Sequence, residues 1–214
     1  MSAGIGLSSI YDQNLKLCFD SKHPKSWNGS LYYDLITGAD YNNIGNPSWL
    51  NDIRFCTISI VIQWYQVATG YADHPISKFN STLENASMTL YHFQNYQGNG
   101  ADGNWQFIAG NGGWTGLGSG NILTFGSKHH IVLQFNTVDG AQTWFNGTKN
   151  GGRGAGGILG NSHTAGTGSI GFEGANPNGN GHTKMYHLSW WNVELPDAEV
   201  IKQYNMLKTR HGVV

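Results

Sequence analysis

The sequence predicts an all-β fold, a sandwich of two antiparallel sheets with one short helix at the C-terminal end. Short runs in which apolar and polar residues alternate recur along most of the chain, and turns rich in Gly and Asn separate them. Glycine supplies 31 of the 214 residues and aromatic residues supply 13%, as turns and a packed core require. Strands joined by short turns, without a helix between each pair, indicate a sandwich or jelly roll.

The alternating runs are predicted strands. Segment 55–65 is the longest, and β-branched residues dominate it. Asp139-Gly140 and Asn146-Gly147 predict tight turns on either side of a short strand, 143–145. The predicted strands are 15–20, 55–65, 89–93, 105–109, 130–135, 143–145, 169–172 and 184–193. Three segments rich in Gly and Asn are predicted to be long loops that could carry function on a rigid scaffold: 96–103, 111–120 and 150–168.

One helix is predicted, after Leu195. Pro196 suits the first turn of a helix, and the acidic Asp197 and Glu199 suit its positive N-terminal end. Apolar residues then recur at helical spacing, and basic residues followed by Gly212 favour the C-terminal end. The apolar residues are Val200, Ile201, Tyr204 and Leu207, and the basic ones are Lys208, Arg210 and His211.

Composition excludes several classes of protein. Twelve Lys and Arg face 13 Asp and Glu, so the net charge of −1 makes an electrostatic nucleic-acid binder unexpected. No apolar run is long enough to span a bilayer, and no signal peptide is visible. Residues 1–214 are predicted to form a single domain. Two buried free thiols are the favoured interpretation of Cys18 and Cys56, and a disulfide between them is the alternative.

Several motifs, taken together in their order, resemble the concanavalin A-like, laminin-G-like jelly-roll superfamily. More narrowly, they are similar to the version common in structural proteins of tailed phages and marine viruses. The resemblance covers residues 14 to 212, with Lys128 and Pro196 standing where Trp and Ser are usual. The motifs are Leu17–Asp20 with His23–Trp27 and Leu31–Leu35, Phe55–Ile62, Lys128–Leu133, Trp144–Gly147, and Gly181–Asn192 with Leu195–Tyr204.

The resemblance implies a non-enzymatic virion protein: a capsid decoration, knob or fibre module that serves particle assembly or host-surface attachment. Its partners would be other virion proteins, a host-surface glycan and further copies of itself, and it would be made in the host cytoplasm. The alternative is a lectin-like carbohydrate-binding module. A glycan-degrading enzyme ranks third, because such enzymes need paired carboxylates. Of the four Glu residues, Glu199 alone has an acid two positions away, and that acid lies at the predicted helix start.

The candidate ligand-contacting residues are Trp114, Trp105, Tyr96 and Asp102, which lie in or beside the Gly/Asn loops. An aromatic ring beside polar turn residues suits a sugar, which has an apolar face and a polar rim. No catalytic or metal-ligating residue is predicted, since adjacent His129 and His130 would point to opposite faces of a strand. No cofactor is expected apart from calcium, which Asp102 and Asp73 could bind from loops.

Overall fold

The structure is a computed structural model. It describes residues 13–22, 33–34, 42–45, 47–50, 53–64, 72–79, 88–93, 104–110, 114–119, 123–124, 126–154, 167–170 and 183–214. Side chains are described at 13–22, 47–50, 53–63, 123–124, 126–150, 153 and 184–214.

Thirteen strands occur in the described residues, and all of their pairings are antiparallel. They are β1 (Leu15–Asp20), β2 (Tyr33–Asp34), β3 (Asn42–Gly45), β4 (Phe55–Trp64), β5 (Ala72–Phe79), β6 (Met88–Phe93), β7 (Asn104–Gly110), β8 (Trp114–Ser119), β9 (Lys128–Asn136), β10 (Gly140–Phe145), β11 (Thr148–Gly154), β12 (Thr167–Ile170) and β13 (Thr183–Trp191).

The strands form two sheets. The seven-stranded sheet has the order β1-β13-β4-β9-β10-β11, with β2 also beside β13. The six-stranded sheet has the order β3-β12-β5-β6-β7-β8. Both sheets join strands that are distant in sequence, such as β1 with β13. The predicted all-β sandwich of two antiparallel sheets is therefore confirmed.

The predicted C-terminal helix is also confirmed. Helix α1 (Asp197–Leu207) begins directly after Pro196 and continues into a single π-helical turn, Lys208–Gly212. Gly212 ends this turn with a φ of 72°, a left-handed conformation that glycine adopts without strain. A short 3-10 turn, Ser48–Leu50, precedes β4.

The three central strands of the seven-stranded sheet, β4, β9 and β13, are buried on both faces. One face carries the main apolar core, which includes Ile58, Ile60, Leu133 and Trp190. Helix α1 covers the other face, which is the outer face of the sheet. Two smaller apolar clusters form there; one includes Trp144, Trp191 and Val200, and the other includes Val61, Tyr186 and Leu207.

Polar side chains on the outer face hold the segment that leads into α1. Thr57 Oγ1 donates to the Val193 carbonyl at 3.0 Å and accepts from the Leu195 N–H at 2.8 Å. Gln134 Nε2 donates to the Leu195 carbonyl at 2.6 Å. These hydrogen bonds satisfy backbone groups that the helix would otherwise bury without partners.

Some strands were not predicted. Segments 111–120 and 150–168 were expected to be loops, but β8 lies in the first, and β11 and β12 extend into the second. Their many glycines carry no apolar side chain, so the alternation that identifies a strand is missing. Strand β5 contains Pro75, and the register of β5 with β6 shifts between Asp73 and Ile76, where an irregularity accommodates proline.

Both cysteines are free, as the favoured interpretation held. Cys56 is fully buried on β4, and Cys18 is partly buried on β1, the strand on the far side of β13. Burial raises the pKa of both thiols. No helix in the described residues is long and apolar enough to cross a membrane.

We expect Gly147→Ala to lower the free energy of unfolding by about 2–4 kcal/mol. Gly147 has a φ of 77° in the tight turn between β10 and β11, and a Cβ there would overlap the Tyr204 ring of α1. Gly126→Ala is the matched control, because Gly126 also has a φ of 77° but no atom within 4 Å of an added Cβ. The measurement is urea unfolding, and equal losses in the two variants would contradict the expectation.

Candidate functional site

The backbone of the predicted ligand residues is described in part. Trp105 lies on β7, paired with His92, and Trp114 begins β8, paired with Gly110. Trp114 is therefore in a strand, contrary to the prediction of a loop. The β7–β8 hairpin, in which both tryptophans lie, forms one edge of the six-stranded sheet.

The other predicted ligand residues are separated from this hairpin or lie outside the description. Tyr96 and Asp102 fall outside the described residues. Asp73, expected in a calcium-binding loop, lies on β5 opposite His92 of β6. Its prediction as a loop residue is wrong, because the strand continues through Pro75.

A buried group of three side chains, of types that can bind a metal ion, lies at the seven-stranded sheet and the turn after α1. Asp20, His187 and His211 place one donor atom each within 4.8 Å of one another. Asp20 ends β1, His187 lies on β13, and His211 lies on the π-helical turn. The pairing of Asp20 with His187 across β1 and β13 brings the first two together, and the turn after α1 adds the third. All three side chains are buried.

A serine hydrogen bond orients His187. Ser189 Oγ lies 2.8 Å from His187 Nε2, and the two residues lie two positions apart on β13 and so on one face. His187 Nδ1 then lies 4.0 Å from Asp20 Oδ2. The order serine, histidine, aspartate resembles that of a nucleophilic triad, but Ser189 is fully buried, so no substrate reaches its hydroxyl. The arrangement can hold a proton or a cation.

Asp20 is surrounded by nitrogen atoms. Arg210 Nε lies 2.8 Å from its Oδ2, and His211 Nε2 lies 3.4 Å from its Oδ1; both are ion-pair contacts, and neither nitrogen has hydrogen-bond geometry. The Lys22 backbone N–H donates to Oδ1 at 2.9 Å. Burial opposes ionisation of Asp20, but His211, the Lys22 N–H and His187 together hold its pKa well below the usual range. Burial lowers the pKa of His187 to about 3, although Asp20 opposes that change.

A second buried histidine occupies the same face. His130 Nε2 lies 2.8 Å from Ser59 Oγ, and the His130 ring stacks on Tyr204 of α1 with centroids 5.9 Å apart. Burial, with a smaller effect of His187, lowers the pKa of His130 to about 3. The neighbouring His129 lies on the opposite face of β9, where it stacks on Phe145. Adjacent histidines on this strand therefore do not meet.

The group of Asp20, His187 and His211 was not predicted, because no short spacing in the sequence connects its members. Asp20, His187 and His211 come from three elements and span nearly the whole chain. One signal was present: His187 and Ser189 alternate with apolar residues on a strand that is otherwise typical of a core. The alternation indicates a polar face, and only the position of α1 shows that this face is buried.

No protein-family model and no curated protein sequence matches the chain.

Several solved structures share its fold. Domain 4 of AbnA, a GH43 extracellular arabinanase from Geobacillus stearothermophilus, in complex with arabinotriose, is 12% identical, with a TM-score of 0.50 over 71% of this chain and 66% of that chain. A mutant Trypanosoma rangeli sialidase displaying trans-sialidase activity is 14% identical, with a TM-score of 0.50 over 75% of this chain and 24% of that chain. A heptameric SAP-like pentraxin from Limulus polyphemus is 16% identical, with a TM-score of 0.49 over 70% of this chain and 69% of that chain.

The parts of these structures that the chain matches are β-sandwiches, as expected for a concanavalin A-like jelly roll, and identities this low show the fold alone. The chain spans about a quarter of the length of the sialidases that it matches. The prediction that the chain is not an enzyme is contradicted, because these enzymes are among the structures with its fold. The likeness assigns no activity, but the spacing of carboxylates in the sequence does not exclude one either.

We expect the free energy of unfolding to fall as the pH falls from 6.5 towards 3. The unfolded chain protonates His130 near pH 6.5, whereas folded His130 has a pKa of about 3. In this interval the unfolded state binds the extra proton, so the contribution of His130 to the loss approaches about 1.4 kcal/mol per pH unit, and His187, whose pKa is also about 3, adds a similar contribution. Urea unfolding at several pH values measures the slope. His130→Gln should make the slope shallower by about one proton, and an unchanged slope would remove His130 from the explanation.

Proposed function

We propose that the chain is a carbohydrate-binding attachment module and that its ligand contacts the β7–β8 hairpin. The observation that carries the proposal is the placement of Trp114 at the start of β8, the edge strand of the six-stranded sheet. Trp105 lies at the other end of the hairpin, and its register position falls on the opposite face from that of Trp114, so the proposed contact rests on Trp114. An aromatic ring supplies the apolar platform on which a sugar ring stacks, and we propose that Tyr96 and Asp102, which the sequence analysis also selected, add further contacts.

The seven-stranded sheet is a less suitable place for a ligand, because both faces of its central strands are covered. Helix α1 covers the outer face of the seven-stranded sheet, and the main apolar core occupies the opposite face. Neither face of its central strands is open to a ligand. A binding surface therefore fits the six-stranded sheet and its loops better. The arabinanase domain of the same fold, whose structure contains arabinotriose, is an example of a sugar ligand on such a sandwich.

The setting that we propose for this module is the virion, as a capsid decoration, knob or fibre component. It rests on the sequence resemblance to phage structural proteins. A self-associating module would gain avidity from several weak sugar sites. Light scattering of the purified protein coupled to size exclusion tests self-association, and a strictly monomeric protein would count against the proposed setting.

The test of sugar binding is a glycan array probed with the purified chain, followed by calorimetry on the strongest glycan. We expect Trp114→Ala to weaken binding by roughly 30-fold or more, the loss of about 2 kcal/mol typical of an aromatic hot spot. Phe55→Ala is the matched control, because Phe55 is an exposed aromatic residue, 49% accessible, on the other sheet. Binding that survives Trp114→Ala and Trp105→Ala, or no binding by the folded protein, would overturn the proposal.

The same assay tests calcium and turnover. We propose that Asp102 binds calcium as a cofactor. Addition of calcium should then restore glycan binding to protein that has been treated with a chelator. Analysis of the bound glycan for shorter products distinguishes a binding module from an enzyme of the same fold.

A further inference from the structure

We propose that Asp20, His187 and His211 form a binding site for a divalent transition-metal ion of the zinc type. The site would join β1, β13 and the π-helical turn after α1. It lies in the seven-stranded sheet and does not depend on the proposed sugar site in the other sheet.

The donor set indicates the class of metal. One carboxylate oxygen and two imidazole nitrogens are ligands that zinc and neighbouring first-row ions prefer. Calcium takes six to eight oxygen ligands, so this group does not suit it. Three protein donors leave a further position for a water molecule.

The spacing is close to what such an ion requires. Bonds of about 2.0–2.2 Å in tetrahedral geometry put neighbouring donor atoms about 3.4 Å apart. His211 Nε2 lies 3.4 Å from one Asp20 oxygen, Oδ1, and His187 Nδ1 lies 4.0 Å from the other oxygen, Oδ2. One donor atom from each of the three residues lies within 4.8 Å of the other two. Small side-chain rotations would bring the donors to these separations.

The ring nitrogens are available. His187 Nδ1 and both ring nitrogens of His211 are buried and have no hydrogen-bond partner among the described residues. The two side chains are 1% and 2% exposed, so water does not satisfy these atoms from the surface. Nine other buried side-chain atoms of the described residues also have no hydrogen-bond partner, but these three nitrogens belong to the two histidines that lie beside Asp20, where a metal ion would satisfy them.

The partner of His187 fits a metal ligand as well. Ser189 Oγ occupies His187 Nε2 at 2.8 Å, which leaves Nδ1 directed at Asp20. Histidine ligands almost always use their second nitrogen in such a hydrogen bond, which fixes the ring orientation. Ser189 is therefore a positioning residue for the site.

Arg210 is the competitor of the metal. Its guanidinium Nε lies 2.8 Å from Asp20 Oδ2, so it neutralises the carboxylate in this structure. The Arg210 side chain is 37% exposed, and it can turn into solvent when a cation takes its place. Removal of the Arg210 charge should therefore strengthen metal binding. If Asp20 and Arg210 form only an ion pair, with no metal site, the removal would not increase metal binding.

The test is calorimetric titration of the chelator-treated full chain with zinc chloride. We expect one equivalent to bind at this group. Asp20→Asn and His211→Gln should each weaken binding at least tenfold, and Arg210→Gln should strengthen it severalfold. His130→Gln is the matched control, because it also removes a buried histidine from the outer face but leaves the group intact. Cobalt in place of zinc should give the visible spectrum of nitrogen and oxygen coordination, and His211→Gln should abolish that spectrum.

Several outcomes would overturn the proposal. One is that the protein does not bind zinc. Another is that His211→Gln binds zinc as tightly as the unaltered protein, which would assign the binding to surface histidines. A third is that His130→Gln weakens zinc binding as much as His211→Gln does. Circular dichroism establishes whether each variant folds. If Asp20→Asn and His211→Gln do not fold, Arg210→Gln decides the question, because it retains all three donors. Unchanged or weaker binding in that variant then counts against the site.

Discussion

The fold of this protein depends on helix α1 covering the outer face of the central strands of the seven-stranded sheet. Strands β4, β9 and β13 lie between the main apolar core and helix α1, so the described side chains on them are buried or partly buried, except Phe55 at the start of β4. The core face is apolar apart from His129 near the start of β9, but the outer face mixes apolar clusters with Ser, Thr, Gln and His. A helix that covers such a face must leave its polar groups with partners, because an unpaired buried polar group is costly.

Most of these partners lie at the two ends of α1. At its start, Thr57 and Gln134 bond the backbone around Leu195 and so set the direction of the helix. Near its middle, His130 pairs with Ser59 beneath Tyr204. Beyond its end, the π-helical turn brings Arg210 and His211 to Asp20. The position of α1 therefore follows from polar contacts as well as from the apolar residues that its spacing revealed.

Sequence patterns predicted those parts of the fold in which local chemistry and the final structure agree. The β-branched run at 55–65, the Asn146-Gly147 turn and the helix after Pro196 each have a local cause, and each is present. Strand β8 was not predicted, because its glycines interrupt the alternation of apolar and polar residues. Strand β5 was not predicted, because it contains Pro75, which is unusual within a strand. The group around Asp20 could not be predicted from spacing, because the topology of the sheet and the turn after α1 assemble it.

The charge of the group around Asp20 limits how a metal ion can enter it. In this structure the carboxylate of Asp20 and the guanidinium of Arg210 balance each other, and His187 is held neutral by burial. A divalent ion bound beside Arg210 would leave two uncompensated positive charges in a buried space, which is strongly unfavourable. Movement of Arg210 into solvent reduces that excess to one and frees Asp20 Oδ2 for the metal. Because Arg210 and His211 are neighbours on the same turn, this movement and the approach of His211 to the ion would be coupled.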